Sequence, residues 1–149
     1  MILDKRLTFT ASQALTASAA LTDSVDLGVA GVPGRDIGPG QPIYWEVVVL
    51  VAPDGTTGDE TYTFNLESDE DVAFGSPSIV ATITVPRGAA ASPVGTRKVA
   101  VVPPIVNSNE RYLRVAYVGA GTTPTITVAS HLSTEVPPAW QAYDAPFQA

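Results

Sequence analysis

Residues 43–51 read Ile-Tyr-Trp-Glu-Val-Val-Val-Leu-Val, and this stretch decides the fold class. β-Branched and aromatic side chains fit the pleated surface of a strand, and the run is too short and too β-rich for a buried helix. With a period of two, Ile43, Trp45, Val47, Val49 and Val51 share one face, and Tyr44, Glu46, Val48 and Leu50 share the other. Both faces are largely apolar, so the strand is expected to be central and covered on both sides.

Working outward, the same alternation recurs between glycine and proline punctuation. Leu7 and Phe9 alternate with Thr8 and Thr10. Ser24 to Leu27 reads as a short strand ended by Gly28. In 61–66, Tyr62, Phe64 and Leu66 point in. Val72 and Phe74 suggest a brief strand before Pro77, and Ile79 to Val85 a longer one ended by Pro86. Further strands are expected over 97–102, over 111–118 with Leu113, Val115 and Tyr117 on one face, and over 125–132 with Ile126, Val128 and Leu132 on one face. The last two read as a hairpin. The stretch 11–20 is rich in Ala and Leu but interrupted by Ser12, Thr16 and Ser18, so it reads as extended chain or one short helical turn.

Residues 31–42 hold three prolines and four glycines and form no regular element. The pattern is all-β: about eight short antiparallel strands in a β-sandwich, jelly roll or barrel. Residues 1–23 make an N-terminal arm and first strand, 24–135 the sandwich, and 136–149 an extended C-terminal arm carrying Trp140, Tyr143 and Phe147. Met1, Ile2 and Leu3 form a second apolar end.

The chain of 149 residues is the size of one domain, with 45% hydrophobic and only 15% charged residues. Without cysteine there is no disulfide framework and no thiolate metal site. A net charge of −7 opposes binding to phosphate backbones, so nucleic acid is not an expected partner. No apolar run is long enough for a membrane-spanning helix. Lys5-Arg6 before a mildly apolar stretch imitates a signal peptide, but Asp4, Thr8, Thr10, Ser12 and Gln13 spoil the pattern.

Signals for chemistry are weak. His131, the one histidine, has Ser130 and Ser133 as strand neighbours but no orienting carboxylate among them, and no Gly-x-Ser-x-Gly elbow exists, so it reads as a surface or interface histidine. The acidic stretches 67–71 and 54–60 offer oxygens to Ca²⁺ without EF-hand spacing, and read as solvated loops. Gly38-Pro-Gly40 and Gly119-Ala-Gly121 lack the helix that a phosphate cradle requires. Arg35 and Asp36 sit in the Gly/Pro loop, as an internal clamp or a partner contact. No cofactor and no catalytic residue is expected.

Several pieces together resemble a known family: the start Met1-Ile2-Leu3-Asp4, the step Asp26-Leu27-Gly28, the run Arg35-Asp36-Ile37-Gly38-x-Gly40-x-Pro42-x-Tyr44, and Arg111-Tyr112-Leu113-Arg114. The chain is similar to the small head cement (decoration) proteins of tailed phages, of the kind found on the tropism-switching Bordetella phage, over roughly residues 1–132. The resemblance implies a jelly roll and a non-enzymatic virion protein, made in the host cytoplasm. It further implies a homodimer or homotrimer on the outer surface of the head, bound across seams between major capsid subunits. On that reading Met1, Ile2, Leu3, Arg35, Asp36, Tyr44, Trp140, Tyr143 and Phe147 are the expected interface residues. The competing expectation is a carbohydrate-binding β-sandwich of a secreted or tail protein, using Tyr44 and Trp45.

Overall fold

The computed structural model describes residues 5–28, 42–103 and 110–134. A single 3-10 turn, Lys5–Leu7, leads into nine strands: β1 (Thr8–Leu15), β2 (Ala19–Ala20), β3 (Val25–Asp26), β4 (Ile43–Val51), β5 (Thr61–Asp69), β6 (Ser78–Val85), β7 (Arg97–Val102), β8 (Tyr112–Ala120) and β9 (Ile126–Ser133). Sheet A runs β1-β9-β4-β7. Sheet B runs β2-β8-β5-β6, with β3 also on β8. Every pairing is antiparallel.

The two orders match position by position. β1 lies beside β9 as β2 and β3 lie beside β8; β4 is flanked by β9 and β7 as β5 is by β8 and β6. The chain is thus a row of strand pairs, each bent so that one strand enters each sheet. With β2 and β3 counted as one interrupted strand, this is the eight-stranded jelly roll.

The core fills the space between the sheets. From sheet A come Phe9, Leu15, Trp45, Val47, Val49, Val102, Ile126, Val128 and Leu132. From sheet B come Tyr62, Phe64, Leu66, Ile83, Val85, Leu113, Val115 and Tyr117. The alternation in the sequence is the alternation of these inward residues. Polar atoms that enter the core are mostly paired. The Trp45 indole N–H donates to Ser130 Oγ at 2.9 Å, and that hydroxyl donates to the Glu46 carbonyl at 3.0 Å. Trp45 is therefore an interior residue.

Three expectations are corrected. β8 and β9 are not a hairpin: they lie in different sheets. The 121–125 connection is an arch across one end of the sandwich. Tyr62 holds it there, its hydroxyl accepting from the Thr125 N–H and donating to the Asp54 carbonyl. Gly121 turns the chain at φ 96°, and a Cβ there would meet the Asp59 carbonyl oxygen at 2.6 Å, so the arch packs directly on the β4–β5 loop. Second, Val72 and Phe74 form no strand. Residues 70–77 turn, with Phe74 at φ 51°. Asp69 drives the turn by accepting the backbone N–H groups of Asp71 and Ser76. Third, Val51 leaves the buried face of β4. An irregularity between Val49 and Val51 shifts the pairing with β9, and Val51 is 56% exposed. The ambiguous 11–20 stretch resolves as chain extended to Leu15.

One core group lacks a partner. The Tyr117 ring packs near Phe64 and Tyr62, centroids 5.2 and 6.3 Å away. Its hydroxyl is buried without a hydrogen bond, and burial pushes it up to about 12. Gly119 makes the room, since a Cβ there would meet that hydroxyl at 2.3 Å. Removing an unsatisfied buried hydroxyl while keeping the ring relieves a desolvation cost. Tyr117→Phe is expected to leave the fold intact and raise unfolding free energy by about 1 kcal/mol, read from urea melts of the two proteins; a loss of more than about 1 kcal/mol would mean that the hydroxyl has a partner.

Candidate functional site

The outer surfaces of the two sheets differ in chemistry. Sheet B presents Thr61, Thr63, Asn65, Thr82 and Thr84 around an Arg114–Glu67 ion pair at 2.7 Å, with Ile79 and Val118 as isolated apolar residues. This is an ordinary solvated face. Sheet A presents half-buried Tyr44, Val48 and Ala129 and exposed Val99 and Val101, 44% and 60% accessible. Val51 extends this apolar surface at the end of β4.

Register explains the grouping. Glu46 pairs with His131 on one side and Val99 on the other; Tyr44 pairs with Ser133 and Val101; Val48 pairs with Ala129 and Arg97. The outer row therefore brings one carboxylate, one imidazole and one guanidinium together. Glu46 is fully buried, with Arg97 Nη1 3.1 Å from Oε1 and His131 Nε2 3.0 Å from Oε2. Both contacts are at ion-pair distance, yet neither has hydrogen-bond alignment. The stabilisation is thus chiefly charge compensation of a carboxylate that water does not reach. Burial pushes the His131 imidazole below its ordinary 6.5. Glu46 opposes that and Arg97 reinforces it.

Sequence reasoning missed this cluster. It read His131 against its chain neighbours, whereas the carboxylate comes from the adjacent strand. The available signal was Glu46 itself, a lone charge inside an apolar strand.

Of the expected interface residues, Tyr44 is half-buried on the outer face of β4. Met1, Ile2, Leu3, Arg35, Asp36, Trp140, Tyr143 and Phe147 lie outside the described residues. Trp45, offered to a sugar in the competing reading, faces the core with its N–H engaged.

The acidic loops are tied by their own donors. Asp54 accepts from Gly55 N–H, Thr56 N–H and Thr56 Oγ1–H; Asp59 accepts from Thr57 Oγ1–H and from both N–H and Oγ1–H of Thr122; Glu60 accepts from Thr57 and Gly58. These bonds, led by the threonine hydroxyls, hold all three carboxyls below their ordinary values. Among the described residues no group of three or more His, Asp or Glu is arranged around a metal position.

At the opposite end, two pieces of the resemblance meet. Arg111 forks onto Asp26, Nε to Oδ1 and Nη2 to Oδ2, both 2.8 Å. Asp26 Oδ1 also accepts the Gly28 N–H at 2.8 Å, and Leu27 N–H donates to the Arg111 carbonyl. The hydrogen bonds that Arg111 donates to Asp26 hold the guanidinium above its ordinary value. Asp26-Leu27-Gly28 and Arg111-Tyr112 thus form one clamp that fixes β3 on β8 where the chain leaves for the Gly/Pro stretch. Both side chains are over a third exposed, so solvent screens the pair and its role is chiefly to orient the chain.

The Bbp16 family model matches residues 9–133, almost the whole sandwich. The chain belongs to the Bbp16 family. The match agrees with the phage-protein resemblance and is silent about a position on a head. No curated protein matches the chain.

Two outcomes follow for the Glu46 cluster. His131 has a lower pKa folded than unfolded, so its contribution is complete above about pH 6.5 and falls as pH drops from there through the folded value. The melting temperature is expected to decline as pH falls from about 6.5 to 5, with His131→Gln flattening that slope; an unchanged slope would remove His131 as its source. Arg97→Met, which strands the Glu46 carboxylate, should cost roughly 3 kcal/mol in denaturant unfolding.

Proposed function

We propose that this protein is a capsid cement, or decoration, protein of a tailed phage. In this reading it binds the outer surface of the head across seams between major capsid subunits, as a homodimer or homotrimer. It acts without catalysis, cofactor or nucleic-acid contact. The observation that carries the reading is the Bbp16 family match over the whole jelly roll, together with the sequence motifs shared with phage head cement proteins.

The physical mechanism is linkage. A protein that binds the assembled lattice and not its dissociated subunits stabilises the lattice by mass action. Several modest contacts in one oligomer multiply into avidity. The jelly roll supplies a stiff body, since its core is continuous between the sheets and close-packed interiors deform little. The apolar ends, with Met1, Ile2, Leu3, Trp140, Tyr143 and Phe147, supply anchors of the residue types that dominate interface energetics. Arg35, Asp36 and Tyr44 shape the adjoining contact. The Arg111–Asp26 clamp sets the root of the Gly/Pro stretch from which two of these come.

Heads assembled without the protein are expected to bind it saturably and to resist heat or chaotrope better afterwards. Truncation after Pro138 should leave a soluble fold and reduce occupancy on heads, as judged by quantitative gel analysis of sedimented particles. Absence of the protein from intact virus particles would overturn the proposal, and unchanged occupancy after truncation would remove the C-terminal arm from the mechanism.

A further inference from the structure

The edge strands of the two sheets are not alike. A free edge exposes unpaired N–H and C=O groups, and proteins blunt it with short strands, bulges or inward-pointing charges. β1 is broken by two irregularities against β9. β2 and β3 have two residues each. β7 points Lys98 inward, in register with the core residue Val47. β6, by contrast, has eight residues, Ser-Ile-Val-Ala-Thr-Ile-Thr-Val, without charge, proline or glycine. One irregularity lies near its start, and from Ala81 to Val85 it pairs regularly with β5. Among the described residues its backbone bonds to β5 alone, so the outer edge is open. We infer that the β6 edge is the contact between two copies of this chain, the two β6 strands pairing antiparallel about a twofold axis and joining two B sheets into one. The inference deepens the cement reading, on which it rests for its use on a head, by naming the contact between copies and its symmetry.

Three further observations support it. The first is where apolar residues are exposed. β6 and β7 end their sheets at matching positions and so border the same side of the sandwich. Of the seven large apolar residues exposed among the described residues, five (Val72, Ile79, Val94, Val99 and Val101) lie on β6, on β7 or in the connections next to them. Such a concentration marks an interaction surface. The second is self-complementarity. With the axis at Ile83, Thr82 of one copy faces Thr84 of the other on the outer surface. On the core side Ile83 meets Ile83 and Ala81 meets Val85. Threonine and β-branched pairs of this kind stabilise adjacent strands. The third is charge. Exposed Glu70 and Asp71 lie in the turn before β6, and exposed Arg87 follows it. Antiparallel pairing brings each copy's basic end toward the other's acidic end, whereas parallel pairing would set like charges together.

Other segments of the chain suit this edge less well. Residues 31–42 hold three prolines, and so do residues 136–149. Proline lacks the N–H that a ladder needs. A ladder between two identical edges is isologous, so it closes as a dimer and leaves no β6 edge free to propagate. Five regularly paired residues make a short ladder, and the exposed valines beside it supply the rest of the contact.

The test uses full-length protein free in solution. Thr82→Lys with Thr84→Lys sets lysine against lysine across the contact. Both positions are exposed, and the fold loses one surface hydrogen bond, from Thr82 to Asn65. Thr61→Lys with Val118→Lys adds the same charge to the outer face of sheet B away from its edge. Melting curves establish that both variants fold. By sedimentation equilibrium the parent is expected to be a dimer. The edge variant should dissociate with a constant at least about tenfold higher, and the face variant within about twofold of the parent. Because the chain has no cysteine, Thr82→Cys with Thr84→Cys should give a disulfide-linked dimer on mild oxidation, and Val118→Cys should not. A monomeric or trimeric parent would overturn the inference, as would an edge variant that dimerises as tightly as the parent, or crosslinking through position 118 in place of 82 and 84. Binding to heads lacking the protein is read separately: a parent that dimerises through β6 and fails to bind heads would overturn the cement reading and leave the contact standing.

Discussion

Glu46 sits in the middle of the most apolar strand, with no water to solvate its carboxylate. Everything on the outer side of sheet A is arranged around that constraint. β7 must align so that Arg97 reaches it, and β9 must align so that His131 does. A slip of one residue in either pairing would turn the compensating group to the core and leave a buried charge alone, at several kcal/mol. Burial of Trp45, Val47 and Val49 drives the collapse of β4 onto sheet B. That burial is non-directional, and the neighbouring strands offer enough apolar residues to satisfy more than one alignment. The charge cluster adds discrimination between registers.

The same arrangement shapes the surface. Because Glu46 is covered and matched by Arg97 and His131, the face around it presents apolar side chains and no open carboxylate. The rest of the molecule carries the negative charge in loops whose threonine hydroxyls and backbone N–H groups already satisfy the carboxylates. The result is a molecule whose two outer faces differ, one more apolar and the other lined by threonines and a charged pair.

Much of the fold could be read from the chain. The bounds of β4 and the inward residues of β5 and β8 follow from alternation. Gly28 at φ 86° ends the region of β3 as its identity suggests. The errors fall where local pattern and long-range contact disagree. β8 and β9, separated by a glycine- and threonine-rich turn, look like a hairpin. Their division between sheets depends on Tyr62 and Asp59, some sixty residues earlier, which bind the arch. Val72 and Phe74 look like strand residues, yet Asp71 takes the N–H groups of Ala73 and Phe74 that a ladder would have used. The Arg111–Asp26 clamp was visible as two separate motifs, and nothing in either names the other as its partner.

The sequence by itself determined that this chain folds as all-β, because alternation with a period of two can be satisfied only by burying one face of each strand, and glycine and proline mark where strands stop. It also set the charge and excluded disulfides. Only the tertiary structure decided which strands share a sheet, that Glu46 finds Arg97 and His131, and that Val99 and Val101 of β7 lie beside them on the outer face. Those outcomes depend on pairings between strands far apart in the chain. A strand's own residues specify which side is apolar, and they do not specify the neighbour against which that side, or its lone charge, will be satisfied.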